Sequence, residues 1–234
     1  MRVQPREIVR LGRTHLYSWL RLGPDLRETR TLVFRKHKIA YIPIPKAACS
    51  SIKYALRPLT ETSSQSAPGI HSFPGFEVRR FDEIANELDG DWLVFTVVRH
   101  PVDRIQSAWR DKMRSEEKIT SWMKLHALRP GDSFDRFVHI ISLWPTITLD
   151  EHVMPQSMLL HHVRELPIRV YRFEDLDNVW PELSAEITKR SGVEVGPLAK
   201  MNSTEPSVPE MSTRTEARLK RLYEKDFARF GYGA

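Results

Sequence analysis

Two short runs in this chain carry residue types at spacings that can hold anions. The first is Ile44-Pro45-Lys46-Ala47-Ala48-Cys49-Ser50-Ser51-Ile52-Lys53. An apolar stretch ends, a run of small side chains follows, and a helical pattern begins. Small side chains let backbone N–H groups approach a ligand closely, and the start of a helix adds partial positive charge. Lys46 supplies a full charge, and Ser50 and Ser51 supply hydroxyl donors. Together Lys46, Ala47, Ala48, Cys49, Ser50 and Ser51 read as a phosphate cradle. The run is not a Walker A loop, because G-x-x-x-x-G-K-[ST] is absent. By itself it also fits an ordinary strand–helix turn with an incidental lysine and an N-cap serine.

The second run is Arg99-His100-Pro101-Val102-Asp103-Arg104-Ile105-Gln106-Ser107. Arg99 directly follows the apolar stretch WLVFTVV, and Ser107 falls on the second turn of the helix expected next. A guanidinium fork and a hydroxyl converging there can hold a second phosphate. Alone, Arg99 could equally serve the end of the sheet or nearby carboxylates. As a pair, the two runs imply a ligand with two separated anionic groups. No acidic pair is spaced for Mg²⁺, so no metal is expected, and a metal-dependent nucleotide kinase is the less favoured reading.

These runs need elements to position them. Residues 39–44 (IAYIPI) read as a short buried strand weakened by Pro43, and 92–98 (WLVFTVV) as the clearest strand. Residues 168–173 (IRVYRF) form a third candidate. Helical patterns follow the first cradle to about Pro58 and run from Pro101, suited to a first helical turn, to about Met113. Others cover FDEIANEL, much of 119–165, and 179–191. A last helix opens with Thr213-x-x-Glu216, a capping-box pattern, and carries Leu219, Leu222, Tyr223, Phe227 and Phe230 at helical spacing. Residues 60–75 and 196–211 read as loops. Strands alternating with helices predict an α/β fold: a single domain with a P-loop-like, mainly parallel sheet flanked by helices. Ligands bind at the carboxyl ends of strands in such sheets, where both runs lie.

The bulk composition narrows the partners. The 234 residues are 41% hydrophobic and 28% charged, an ordinary globular balance, with net charge +6. Residues 1–38 hold ten Lys/Arg against three Asp/Glu, and the rest hold 26 against 27. The basic excess therefore belongs to an N-terminal arm or helix, placed at 1–35, ahead of a domain at 36–234. A general nucleic-acid surface is not expected. The arm (Ile8, Leu11, Leu16, Trp19 and Leu20 among arginines) fits peripheral membrane contact or packing on protein. No apolar stretch is long enough to span a bilayer. The single cysteine, Cys49, allows no internal disulfide and reads as a small residue beside a phosphate rather than a nucleophile.

Pro45-Lys46-Ala47-Ala48-Cys49-Ser50-Ser51 resembles the 5′-phosphosulfate loop of sulfotransferases that use PAPS (3′-phosphoadenosine-5′-phosphosulfate). Arg99 to Ser107, with Arg104 and Trp109-Arg110-Asp111-Lys112, resembles their 3′-phosphate motif. Glu151-His152-Val153-Met154-Pro155-Gln156, Tyr171-Arg172-Phe173-Glu174-Asp175-Leu176 and the ending Leu222-Tyr223-Glu224-Lys225-Asp226-Phe227 extend the likeness from about residue 36 to the end. The wording is nearest to the carbohydrate sulfotransferases of the Golgi and heparan sulfate 2-O type. Without their membrane anchor and disulfide cysteines, a cytoplasmic, bacterial-type relative is expected.

The resemblance implies PAPS as co-substrate and a hydroxyl acceptor, a glycan or glycoside. Sulfation of a small molecule, lipid or peptide is the alternative, and a non-catalytic nucleotide-binding module is the competing class. Lys46 is the expected stabiliser of the leaving group. Relatives of the 2-O type place a base between the two nucleotide motifs, where His71 is the only histidine. His152, in the Glu-His-x-x-Pro-Gln match, is the second candidate, and Glu77 and Asp82 are outsiders. Trp109, Trp122, Trp144 and Trp180 read as core or as sugar contacts.

Overall fold

The computed structural model describes residues 30–60, 70, 73–163, 167–199 and 210–233. His71 and most of the arm placed at 1–35 lie outside the described residues. The fold is α/β, and the chain forms two compact units.

The sheet unit is drawn from Glu28–Arg99 and His162–Pro206. Its strands are β1 (Arg30–Phe34), β2 (Ile39–Ile42), β3 (Glu77–Arg80), β4 (Leu93–Val98) and β5 (Arg169–Arg172). They form one five-stranded sheet in the order β3-β1-β2-β4-β5. The expected parallel sheet is present as β2-β4-β5, where Tyr41 pairs with Phe95 and Val97 with Tyr171. Antiparallel β1 and β3 extend it on the other side of β2, so the whole is mixed. β1 begins within the stretch that the sequence assigns to the arm.

Central β2 and β4 are buried at every position, which is why they read as unbroken apolar runs instead of alternating ones. Tyr41 stacks on Phe95 with ring centroids 5.0 Å apart. Thr96, the polar residue inside β4, donates its hydroxyl to the Ile42 carbonyl at 2.7 Å, so its burial is compensated. β2 stops at Ile42, one residue before Pro43, whose missing N–H would break the ladder. The two edge strands, β3 (EVRR) and β5 (RVYR), are largely exposed and carry arginines, a composition that discourages pairing with other chains. The unit's helices are α1 (Cys49–Leu56), α2 (Phe81–Ile84) and α7 (Leu176–Ser191), the last packed against β5. α7 runs through Pro181 and ends at Gly192, whose φ of 70° supplies the left-handed turn that closes a helix.

The helical unit is drawn from His100–His161 and Ser207–Ala234. It contains α3 (Pro101–Lys112), α4 (Ser121–Leu125), α5 (Phe134–Ser142), α6 (Gln156–Leu159), α8 (Thr213–Leu222) and α9 (Glu224–Phe230). Its core gathers Ile105, Phe134, Phe137, Met154, Leu219 and Phe227. α8 is capped one residue earlier than the Thr213 pattern suggests: Ser212 Oγ accepts the Thr215 N–H at 3.3 Å. Trp109 is an anchor, donating Nε1–H to the Asp132 carbonyl at 2.8 Å and meeting Phe134 edge-on. Trp122 is buried, and Trp144 is exposed.

Candidate active site

The first anion run leaves the carboxyl end of β2 as a tight turn. The Ala47 N–H donates to the Ile44 carbonyl at 3.2 Å, and Ala47 is fully buried. On either side of it, Lys46 and Ala48 adopt φ of 69° and 59°. Residues with a Cβ enter this left-handed region rarely, and such strain collects where backbone geometry serves a function. Handedness switches between Ala48 and helical Cys49, the kind of alternation that turns successive N–H groups into a concave anion-binding nest. α1 then starts with no side-chain hydrogen bond capping it. Its first N–H groups thus meet no capping side chain where helix polarity favours an anion. Cys49, Ser50 and Ser51 form this first turn, and all three are half-buried.

Arg99 follows the last residue of β4, and β4 lies parallel beside β2. The carboxyl ends of these neighbours therefore bring the first cradle and Arg99 together. Arg99 Nη1 donates to the Lys46 carbonyl at 3.3 Å, and its guanidinium lies over the Phe173 ring at 4.3 Å. Phe173 directly follows β5, the next parallel strand. One arginine is thus held between structures at three adjacent strand ends. The Tyr-Arg-Phe-Glu-Asp-Leu match gains a physical role from this contact, since Phe173 supplies the face against which Arg99 rests.

Ser107 and His152 belong to the helical unit. Ser107 is half-buried on α3. His152 lies on the turn that leads into α6, and its ring Nδ1 is 2.7 Å from Asp150 Oδ1. The same carboxylate oxygen accepts the His152 backbone N–H at 3.0 Å. Burial acts to raise the Asp150 carboxyl, but hydrogen bonds from His152 and Thr120 outweigh it and hold the group below its ordinary value.

This turn is braced by side chains distant in sequence. Fully buried Arg104, on α3, donates to the carbonyls of Met154 at 2.8 Å and Glu151 at 2.9 Å. The Tyr223 hydroxyl donates to the Val153 carbonyl at 2.6 Å. Burial pushes that hydroxyl far above the phenol range, while the Arg104 charge pulls the other way. Asp226, also fully buried, accepts the N–H groups of Gln156 at 2.8 Å and Ser157 at 2.7 Å. The Glu-His-Val-Met-Pro-Gln and Leu-Tyr-Glu-Lys-Asp-Phe matches are therefore two halves of one buttress. Sequence reasoning noted both segments but could not assign Asp150, Tyr223 or Asp226.

The remaining candidates fall elsewhere. His100 packs edge-on against Phe227 and Tyr232, with ring centroids 5.6 and 5.4 Å away. Glu77 pairs with Arg35 and Arg79, each at 3.2 Å, and Asp82 pairs with Arg80. Both acids are engaged in surface ion pairs. Among the described residues no group of three or more His, Cys, Asp or Glu side chains is arranged to hold a metal ion. No helix of the described residues is long and apolar enough to cross a membrane.

A family model described as the sulfotransferase family matches residues 29–233, spanning both units. No curated protein and no solved structure matches the chain.

Proposed function

The chain belongs to the sulfotransferase family and transfers a sulfo group, and from that premise we propose that its donor is PAPS and its acceptor a carbohydrate hydroxyl. The single observation that carries the donor assignment is the left-handed Lys46-to-Ala48 loop leading into uncapped α1, with Arg99 bonded to it from the next strand end. Such a site suits a nucleotide with anionic groups at two positions. The carbohydrate acceptor is supported by the wording of the motifs. A reducing, cytoplasmic setting belongs to the same proposal, supported by the single cysteine.

PAPS supplies the sulfo group and a leaving group, adenosine 3′,5′-bisphosphate. The acceptor oxygen forms a bond to sulfur as the sulfur–oxygen bond to the 5′-phosphate breaks. Lys46 neutralises charge growing on that phosphate oxygen. The backbone N–H groups of Ala47, Ala48 and Cys49 and the hydroxyls of Ser50 and Ser51 hold the same phosphate. Preorganised donors of this kind cost no reorganisation during the reaction. Arg99 holds the 3′-phosphate, and Ser107 carries over from the sequence pattern as a second donor to it. A histidine takes the acceptor's proton, with His71 the first candidate by the family pattern and His152 the second.

The test is calorimetric binding of adenosine 3′,5′-bisphosphate against ATP with and without Mg²⁺, followed by sulfo transfer from PAPS to glycans, phenols, peptides and lipids. We expect the bisphosphate to bind in preference and a glycan to be sulfated. Lys46→Ala should lower turnover by about 10²–10³-fold with an unchanged melting temperature. Preference for ATP with Mg²⁺, or near-normal turnover by Lys46→Ala, refutes the assignment. Sulfation of another acceptor class alone refutes the carbohydrate.

A further inference from the structure

Arg99 and Phe173 hold matching places on neighbouring strands. β4 and β5 run parallel with Val98 opposite Arg172, so the next residue of each strand, Arg99 and Phe173, leaves the sheet in register. Adjacent strands lie about 4.8 Å apart, and the Arg99 guanidinium sits over the Phe173 ring at 4.3 Å from its centroid. Both side chains are half-buried. Arginine carries a planar charge on a long stem with many rotamers. The negative face of an aromatic ring attracts that charge and restricts where it lies, more strongly the less water reaches the pair.

The same guanidinium reaches the cradle. Arg99 Nη1 donates to the Lys46 carbonyl at 3.3 Å, and the N–H of that same peptide, on Ala47, donates to the Ile44 carbonyl at 3.2 Å. The Lys46–Ala47 peptide is therefore tied at both ends. Lys46 on one side of it has φ of 69°, and Ala48 just beyond it has φ of 59°. A residue with a Cβ holds such a conformation only where its surroundings impose it. The bond from Arg99 is one of those restraints. Three links thus run from the Phe173 ring to the guanidinium to the loop peptide, all of them within the sheet unit.

We propose that Phe173 is a positioning residue for the donor site: its ring holds Arg99, and Arg99 in turn holds the Lys46–Ala47 peptide of the cradle. This rests on the reading of the site as one for adenosine 3′,5′-bisphosphate and its sulfo derivative. The arginine assigned to the 3′-phosphate then also shapes the loop that takes the 5′-phosphate, and the two anion subsites are coupled through one side chain. Loosening Arg99 weakens the grip on the 5′-phosphate even in a nucleotide that has no 3′-phosphate. The effect of Phe173 passes entirely through Arg99.

The experiment is titration calorimetry of the full chain with adenosine 3′,5′-bisphosphate and, by displacement, with adenosine 5′-phosphate. Wild type is compared with Phe173→Leu, Phe173→Tyr, Arg99→Ala and the double variant Phe173→Leu with Arg99→Ala. Leu keeps apolar bulk without a π face, and Tyr keeps the face. Phe173→Leu should weaken both nucleotides by about 3–20-fold, while Phe173→Tyr should hold both within about 2-fold. Arg99→Ala should weaken both, the bisphosphate more. In the Arg99→Ala background Phe173→Leu should add no further loss. Unchanged 5′-phosphate affinity in Phe173→Leu overturns the proposal and leaves the donor reading standing. So does an undiminished loss from Phe173→Leu in the Arg99→Ala background, which would set the ring against the nucleotide itself. A loss in Phe173→Tyr equal to that in Phe173→Leu overturns it too. Unchanged 5′-phosphate affinity in Arg99→Ala does the same, whether or not the Leu variant folds. A wild type that binds neither nucleotide overturns the donor reading, and the proposal with it.

Discussion

Asp226 offers the sharpest test of how the C-terminal segment supports the turn that carries His152. Its carboxylate is fully buried and accepts two backbone N–H groups, from Gln156 at 2.8 Å and Ser157 at 2.7 Å. Asp226→Ala leaves both donors without this acceptor in a place that water does not reach. A buried donor left unsatisfied costs about 1–3 kcal/mol, and bonds to a charged acceptor lie toward the upper end. Two together give about 3–5 kcal/mol. For a chain of this size, one kcal/mol shifts the melting temperature by about 2–4 °C. The expected fall is therefore about 6–20 °C, read by thermal melts and urea titration at constant m-value. Asp226→Asn should lose less than the Ala variant, because its carbonyl can serve one N–H while its amide confronts the other. An Ala variant within 1 kcal/mol of wild type would refute the buttress as described.

Two buried tyrosines should respond in opposite ways. Tyr41, fully buried, has no hydrogen-bond partner for its hydroxyl among the described residues, whereas Tyr223 bonds to the Val153 carbonyl. Tyr41→Phe should thus be neutral or up to about 1 kcal/mol stabilising, while Tyr223→Phe should cost about 1–2 kcal/mol; equal losses in urea titrations would contradict this. Ala48→Gly should relieve the left-handed strain at φ of 59° and gain about 0.5–1 kcal/mol net of the added freedom of the unfolded chain. A loss above 1 kcal/mol would show that the turn does not strain Ala48.

The parallel heart of the sheet was legible because its residues announce it locally. Leu93–Val98 is buried at every position, and that environment selects the apolar, β-branched run visible in the sequence. The edge strand β3 carries no such mark, whereas β5 (Arg169–Arg172) falls inside the strand candidate at 168–173. Glu77–Arg80 pairs with β1 through its backbone while its side chains are mostly exposed, so Glu-Val-Arg-Arg reads as any surface segment. β1 is apolar enough to be seen, but its neighbours among the basic residues hid it. The start of α3 was legible for a different reason, and β2, expected over 39–44, ends at Ile42 for the same one. Pro43 and Pro101 act through their own missing N–H groups, which is chemistry that needs no tertiary context.

The site divides along the same line. The cradle from Pro45 to Ser51 is one continuous segment, so its small residues and lysine can be read together. Its geometry was less visible: the left-handed positions fall on Lys46 and Ala48, where a glycine-based reading finds no signal. The buttress could not be read at all, because its bonds join residues 47 to 70 positions apart, as from Arg104 to Glu151 and from Asp226 to Gln156. A lone Asp in a helical run looks like a solvated charge until its partners are known. Yet Asp226, Tyr223 and Arg104 share one property that sets them apart from surface polar residues: each is buried, and each bonds to the backbone of the stretch from Glu151 to Ser157. Backbone groups are the same in every sequence, so the identity of the turn's side chains is free of this scaffold. The buttress dictates where the turn lies, whatever side chain stands at position 152. Replacing His152 should therefore cost little stability, while replacing Asp226 should cost about 3–5 kcal/mol.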